Sequence, residues 1–193
     1  MAEPAVPLVG LTGGMGAGKS TALAALERLG AAVLSTDAVV HELYAAEPRL
    51  RDAVVARWGA EVAPDGRVDR AAIARRAFAD DGERRWLEGL LWPLVGERVA
   101  AWLTEARERR PPQRAAVVEV PLLFEAGMEG LYDATIAVLA PEELRRARAA
   151  GRGHELSGER AARQLPQEEK AARAVRQNLK ESIDLCRLLS PAN

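Results

Sequence analysis

Residues Leu8 to Ser20 read L-V-G-L-T-G-G-M-G-A-G-K-S, and the rest of the chain is read outward from them. Gly13, Gly18, Lys19 and Ser20 satisfy the spacing G-x-x-x-x-G-K-[ST] of a phosphate-binding loop. Glycines admit backbone conformations barred to residues with a Cβ and let the chain come close to a ligand. The amides of such a loop point inward at phosphate oxygens, aided by the positive end of the helix that follows. On this reading Gly13, Gly14, Met15, Gly16, Ala17, Gly18, Lys19, Ser20 and Thr21 contact a nucleotide. Lys19 reaches the β- and γ-phosphates, and the Ser20 hydroxyl is a ligand for Mg²⁺.

The flanks supply the context the spacing needs. Val6, Leu8, Val9 and Leu11 form an apolar run suited to a buried parallel strand, and Leu23, Leu26 and Leu29 recur at helical spacing behind the loop. A helix from about Gly18 to Leu29, stopped by Gly30, and a strand over Ala31 to Leu34 are expected next. That strand delivers Ser35, Thr36 and Asp37 to its C-terminal end, where open α/β sheets place their ligands. Asp37 has two readings there: a base for a substrate hydroxyl, or the cap of the following helix.

From Asp37 to about Arg110 only helical periodicity is found, broken at Gly59, at Pro64-Asp65-Gly66 and at Pro93. Ile73, Ala77 and Phe78 form one apolar face. Leu94, Val95, Val99, Trp102 and Leu103 form another. All four tryptophans fall in this region, which predicts packing rather than a cofactor box. Pro111-Pro112 marks the return to strands, with A-A-V-V-E-V over Ala115 to Val120 and T-I-A-V-L over Thr135 to Leu139. Glu119, near the end of the first of these, is placed to hold the water shell of a Mg²⁺. Arg145, Arg146, Arg148, Arg152, Arg160 and Arg163 then crowd one segment. Beside a phosphate site they are read as a lid with Gly151 and Gly153 as hinges, in preference to a solvated helix face.

Composition narrows the class. The 193 residues suit one globular unit with an inserted subdomain, and 48% hydrophobic with 28% charged is ordinary for a soluble enzyme. A net charge of −1 gives no global attraction for nucleic acid or an anionic membrane. The single cysteine, Cys186, can form no internal disulfide, and the sequence shows neither a basic leader nor an apolar run long enough to cross a bilayer. Cytoplasmic location is the expectation.

The chain also resembles a known family, the dephospho-CoA kinases. The resemblance rests on G-L-T-G-G-M-G-A-G-K-S, on Asp37, and on R-W-G-A-E-V-A-P-D-G-R-V-D-R from Arg57 to Arg70. It continues through Phe78, L-E-G-L-L-W-P-L-V from Leu87 to Val95, V-P-L-L-F-E from Val120 to Glu125, and Q-L-P-Q-E-E-K-A from Gln164 to Ala171. It implies an α/β fold with a parallel P-loop nucleoside triphosphate hydrolase-type core formed by residues 1–36, 112–141 and 171–193. A helical acceptor-binding insertion would span 37–111 and a lid 142–170. It implies transfer of the γ-phosphoryl of ATP, with Mg²⁺, to the ribose 3′-hydroxyl of dephospho-CoA. Asp37 would then be the base, Lys19 a phosphate ligand, and Arg148 and Arg152 the lid arginines, with the V-P-L-L-F-E loop flanking the acceptor.

The sequence departs from the family pattern at three places. Trp92 stands where the family usually has His, so that residue's polar contact is expected to be absent or replaced by packing. Glu119 stands where Asp is common. After Ala174 the family's Asp, apolar strand and Asn-Gly turn give way to Val175-Arg176-Gln177-Asn178-Leu179-Lys180, so a fifth strand is expected to be missing or displaced. Two rivals share the phosphate loop: a nucleoside monophosphate kinase or similar small-molecule kinase, and a nucleotide-dependent switch. The helical insertion speaks against the first. The lack of N-K-x-D and D-x-x-G motifs speaks against the second.

Overall fold

The computed structural model describes residues 6–150 and 164–176. The chain divides into two compact units, one of Met1–Ser35 with Leu103–Asn193 and one of Thr36–Trp102.

The first unit is built on the apolar runs. Strands β1 (Leu8–Gly13), β2 (Ala32–Ser35), β3 (Ala116–Glu119) and β4 (Ala134–Val138) form a parallel sheet in the order β2-β3-β1-β4. Parallel sheets covered on both faces need near-continuous apolar strands, and these four have them. Helix α1 (Lys19–Arg28) lays Leu23 and Leu26 onto a core of Val9, Leu11, Ala31, Ala115, Val117 and Ala134. Gly30, at φ 92°, ends the α1 segment. The expected strand over Thr135 to Leu139 is shifted by one residue, and Leu139 is exposed beyond its end.

Helix α6 (Glu142–Ala150) follows β4, and helix α7 (Gln167–Arg176) packs against β4 and β1. The order places β2 on one side of β1 and β4 on the other, so the chain changes direction across the sheet at β1. Ligands of open α/β sheets bind outside the strand C-termini at such a switch point. The residue that follows β1 is Gly14, inside the phosphate loop.

One requirement in β1 goes unread in the sequence. A Cβ on Gly10 would lie 2.5 Å from the Leu123 Cδ1 and 3.0 Å from the Tyr132 ring, so glycine lets those side chains cover the strand without shifting. Burial in turn pushes the Tyr132 phenol above its usual range.

The second unit is helical, as its periodicity predicts. It comprises α2 (Thr36–Ala46), α3 (Pro48–Trp58), α4 (Arg70–Ala79) and the greater part of α5 (Asp81–Glu108). Gly59 ends α3, and Pro64–Gly66 forms a 3-10 turn. Asp69 then caps α4 by accepting from the amides of Ala71 and Ala72 at 2.8 and 3.2 Å. Trp58 and Trp86 meet edge to face at 5.1 Å, with the Arg57 guanidinium 5.4 Å from the Trp86 ring centre. Glu83 receives Arg57 in a fork at 2.7 and 3.1 Å and the Trp58 Nε1–H at 2.7 Å. These donors, Arg57 foremost, hold the Glu83 carboxyl below the usual carboxylate range.

Three expectations are corrected here. Pro93 does not break its helix: α5 runs through it without interruption. Proline removes one hydrogen bond, to the carbonyl of Gly89, at about 3 kcal/mol. A 28-residue helix anchored by buried Leu87, Leu91 and Leu94 absorbs that loss. Trp92 does not pack, being 57% exposed. Phe78 is likewise 38% exposed while Ile73 and Ala77 of the same face are buried, because position 78 sits one step round α4 from Ala77, off its buried stripe. Gln177 to Lys180, and with them the question of a fifth strand, lie outside the described residues.

Candidate active site

The site is assembled from the end of β1, the start of α1, and side chains brought to them from distant parts of the first unit. Gly13, Gly16 and Gly18 have φ of 154°, 72° and 99°, values that only glycine adopts without strain. Gly18 caps α1, whose first turn, Lys19, Ser20 and Thr21, contains no acidic residue. The positive end of that helix is therefore left for an anionic ligand. Ser20 and Thr21 are exposed there, and Lys19 is half-buried. The Lys19 ammonium donates to the carbonyls of Gly13 and Gly14 at 3.1 and 3.3 Å, which holds it across the loop.

Helix α6 meets the loop directly. Arg145 Nε donates to the Met15 carbonyl at 3.0 Å and Arg148 donates to the Gly16 carbonyl at 3.2 Å. The fit is close enough that a Cβ on Gly16 would lie 2.5 Å from the Arg145 carbonyl oxygen. Two guanidinium groups thus join Lys19 at a loop that already favours anions. The Met15 amide donates to Gln164 Oε1 at 3.0 Å.

Arg148, one of the arginines read as a lid, lies beside the loop. In the sequence Arg145 reads only as one of the lid arginines and Gln164 only as the start of a family motif, neither as a contact of the loop. Arg145 could have been picked out from its i, i+3 spacing to Arg148, which puts both on one face of α6. Gln164 carries no local signal. Arg152 lies outside the described residues, as do Gly151, Gly153, Arg160 and Arg163.

Glu119 is the last residue of β3, buried, and in register with Leu11 and Ser35 of the flanking strands. It stands at the C-terminal edge of the sheet, as does the phosphate loop. Asp37 belongs to the other unit. It is exposed, the second residue of α2, and two positions along the chain from the end of β2. One turn further along the same helix face, His41 Nδ1 lies 2.6 Å from the Arg70 guanidinium. Because α2 starts at Thr36, Asp37 lies inside the first turn rather than at the cap position before it.

A family model described as dephospho-CoA kinase (CoaE) matches residues 7–182. The chain belongs to the dephospho-CoA kinase family. It is 41% identical over 170 residues to the dephospho-CoA kinase of Moorella thermoacetica, an alignment covering 88% of this chain and 80% of the relative. To that of Anaeromyxobacter dehalogenans it is 43% identical over 173 residues, 86% of this chain and 80% of the relative. The crystal structure of TT1252 from Thermus thermophilus superposes with a TM-score of 0.74 at 31% identity, covering 97% of this chain and all of that one. A dephospho-CoA kinase from Campylobacter jejuni shares the fold, with a TM-score of 0.56 at 19% identity over 95% of this chain and 85% of that one. Proteins of this family are ATP-dependent kinases, and the parallel sheet with its glycine loop is their type of core.

Gly16→Ala tests how closely the kinase loop is fitted. The left-handed backbone costs about 1–2 kcal/mol for any residue with a Cβ, and the new methyl also meets the Arg145 carbonyl at 2.5 Å. The expected outcome is a melting temperature lowered by several degrees and a loss of the stabilisation that ATP gives the wild type. Thermal melts with and without nucleotide check both.

Proposed function

We infer that this chain transfers the γ-phosphoryl group of ATP to the ribose 3′-hydroxyl of dephospho-CoA, giving CoA and ADP. One observation carries the reading. A complete phosphate loop, with Lys19 drawn across it and Arg148 against it, lies in a chain that matches the family model from residue 7 to residue 182. The acceptor oxygen attacks the γ-phosphorus, the bond to the β–γ bridging oxygen breaks, and ADP leaves with that electron pair. The hydroxyl proton passes to the Asp37 carboxylate, which also orients the attacking oxygen. Lys19 and the loop amides of Gly13 to Thr21 hold the triphosphate, and Arg148 and Arg152 neutralise charge on the moving phosphoryl group. Residues 37–111 serve as the acceptor-binding insertion, 142–170 as the lid, and 1–36, 112–141 and 171–193 as the nucleotide-binding core.

The donor chemistry fits Mg²⁺. Ser20 and Glu119 offer hard oxygens, and among the described residues no group of three or more His, Cys, Asp and Glu forms a metal cage. Mg²⁺ in kinases is held by one or two protein oxygens together with substrate phosphates and waters. Ser20 would be a direct ligand and Glu119 would hold the water shell. When bound, the ion neutralises charge on the β- and γ-phosphates. The substrates are small molecules. Neither nucleic acid nor membrane is a partner, in keeping with the net charge of −1. Among the described residues no helix is long and apolar enough to cross a membrane, and the enzyme works in the cytoplasm.

A coupled ADP-release assay tests the reading. Turnover is expected with dephospho-CoA, ATP and Mg²⁺ and not with nucleoside monophosphates. The reverse pattern would move the chain's substrate to the rival kinase class.

A further inference from the structure

Lys170 is completely buried, the largest side chain in the described residues to be so, and nothing in the chemistry above uses it. Its ammonium contacts Glu125 Oε1 at 2.8 Å and donates to the Pro121 carbonyl at 2.9 Å. A buried ammonium persists only where paired and hydrogen-bonded, and an apolar side chain of the same size usually stabilises a core at least as well. Retaining the ion pair therefore asks for a role besides stability.

The bonds around Lys170 point to that role. The Pro121 carbonyl also accepts from Thr12 Oγ1 at 3.3 Å, and Thr12 is the residue before Gly13, where the phosphate loop begins. Glu125 Oε1 also accepts the Leu165 amide at 2.8 Å, and the neighbouring Gln164 accepts the Met15 amide within the phosphate loop. Arg173, one turn beyond Lys170 on α7, donates to the Phe124 carbonyl at 3.2 Å. The loop from Pro121 to Glu125 and both the root and the tip of the phosphate loop are thus tied to one short segment, Gln164 to Arg173. Lys170 is its buried centre.

We propose that Lys170, through its pair with Glu125, is a positioning residue for phosphoryl transfer: it fixes the 121–125 loop relative to the phosphate loop. The proposal rests on the kinase reading above and on the family resemblance, which sets the V-P-L-L-F-E loop, Val120 to Glu125, beside the acceptor. A displacement of about 1 Å between reacting groups lowers a rate by about 10²-fold, so loosening this tie lowers kcat.

The test separates positioning from simple stability. Lys170→Met alone leaves a buried carboxylate without its cation and lowers the melting temperature sharply. Lys170→Met combined with Glu125→Gln removes both charges, keeps an oxygen for the Leu165 amide, and is expected to recover most of the melting temperature. Positioning predicts that this double variant still shows kcat lowered by about 10²-fold, with KM for ATP changed far less. It also predicts faster amide hydrogen exchange in peptides spanning Thr12 to Met15 and Pro121 to Glu125. Glu125→Gln alone, the mildest change, is expected to show the same direction at smaller amplitude should the double variant not fold. Wild-type kcat and wild-type exchange in a folded variant would overturn the proposal. Failure of the kinase reading looks different: the wild type itself would not release ADP with dephospho-CoA, and the exchange measurement, which needs no substrate, would still decide whether Lys170 ties the two loops.

Discussion

Lys19→Ala is expected to lower kcat/KM for ATP by at least about 10³-fold while the protein keeps its fold. The side chain is a cation held 3.1 and 3.3 Å from the carbonyls of Gly13 and Gly14, so it is already drawn across the loop before any nucleotide arrives. Its replacement removes the one ammonium in a loop whose other donors are backbone amides and the hydroxyls of Ser20 and Thr21. Stability should hardly move. Alanine is a good helix former, and Lys19 is only half-buried at the start of α1. Circular dichroism melts and an ADP-release assay make the comparison. A folded variant with wild-type kcat/KM would show that this loop is not the working site.

Asp37→Asn carries the second large effect, a fall in kcat of about 10²–10⁴-fold. Phosphoryl transfer asks little covalent work of the protein, so an aspartate at the acceptor contributes by orienting the hydroxyl and taking its proton. Asparagine keeps the size and hydrogen-bonding shape and loses only the basic carboxylate. Its position makes the variant informative: Asp37 is exposed in the first turn of α2, where a negative charge contributes roughly 0.3–1 kcal/mol through the helix dipole. A purely structural Asp37 would therefore give near-normal turnover and a melting temperature lowered by a few degrees at most. The catalytic reading reverses that pattern. Normal steady-state kinetics in Asp37→Asn would remove it from the mechanism.

Much of this molecule is decided by local sequence. The strand, glycine loop and helix from Leu8 to Arg28 follow from an apolar run, from glycines at positive φ and from a 3.6-residue period, all properties of neighbours along the chain. The same holds for the apolar strands β3 and β4 and for the helices of residues 36–102. Arg148 is one of six arginines crowded after β4, and the family resemblance alone sets it, with Arg152, apart from the others.

Other features depend on partners that are far away in the chain. The Met15 peptide is held by Arg145 and Gln164, at separations of 130 and 149 residues. Packing of α7 on β4 and β1 buries Lys170 entirely against Pro121 and Glu125, which its neighbours Glu168 and Glu169 along the chain do not foretell. Pro93 misleads in the opposite sense. Proline's local preference is to end a helix, and the burial of Leu87, Leu91 and Leu94 on both sides of it overrides that preference. Sequence alone determined the phosphate loop and the elements that carry it, since backbone conformation and hydrophobic period are short-range. The strand order, the burial of Lys170 and the grip on Met15 were decided only by tertiary structure, because pairing and desolvating a polar group depend on which distant residues the fold brings against it.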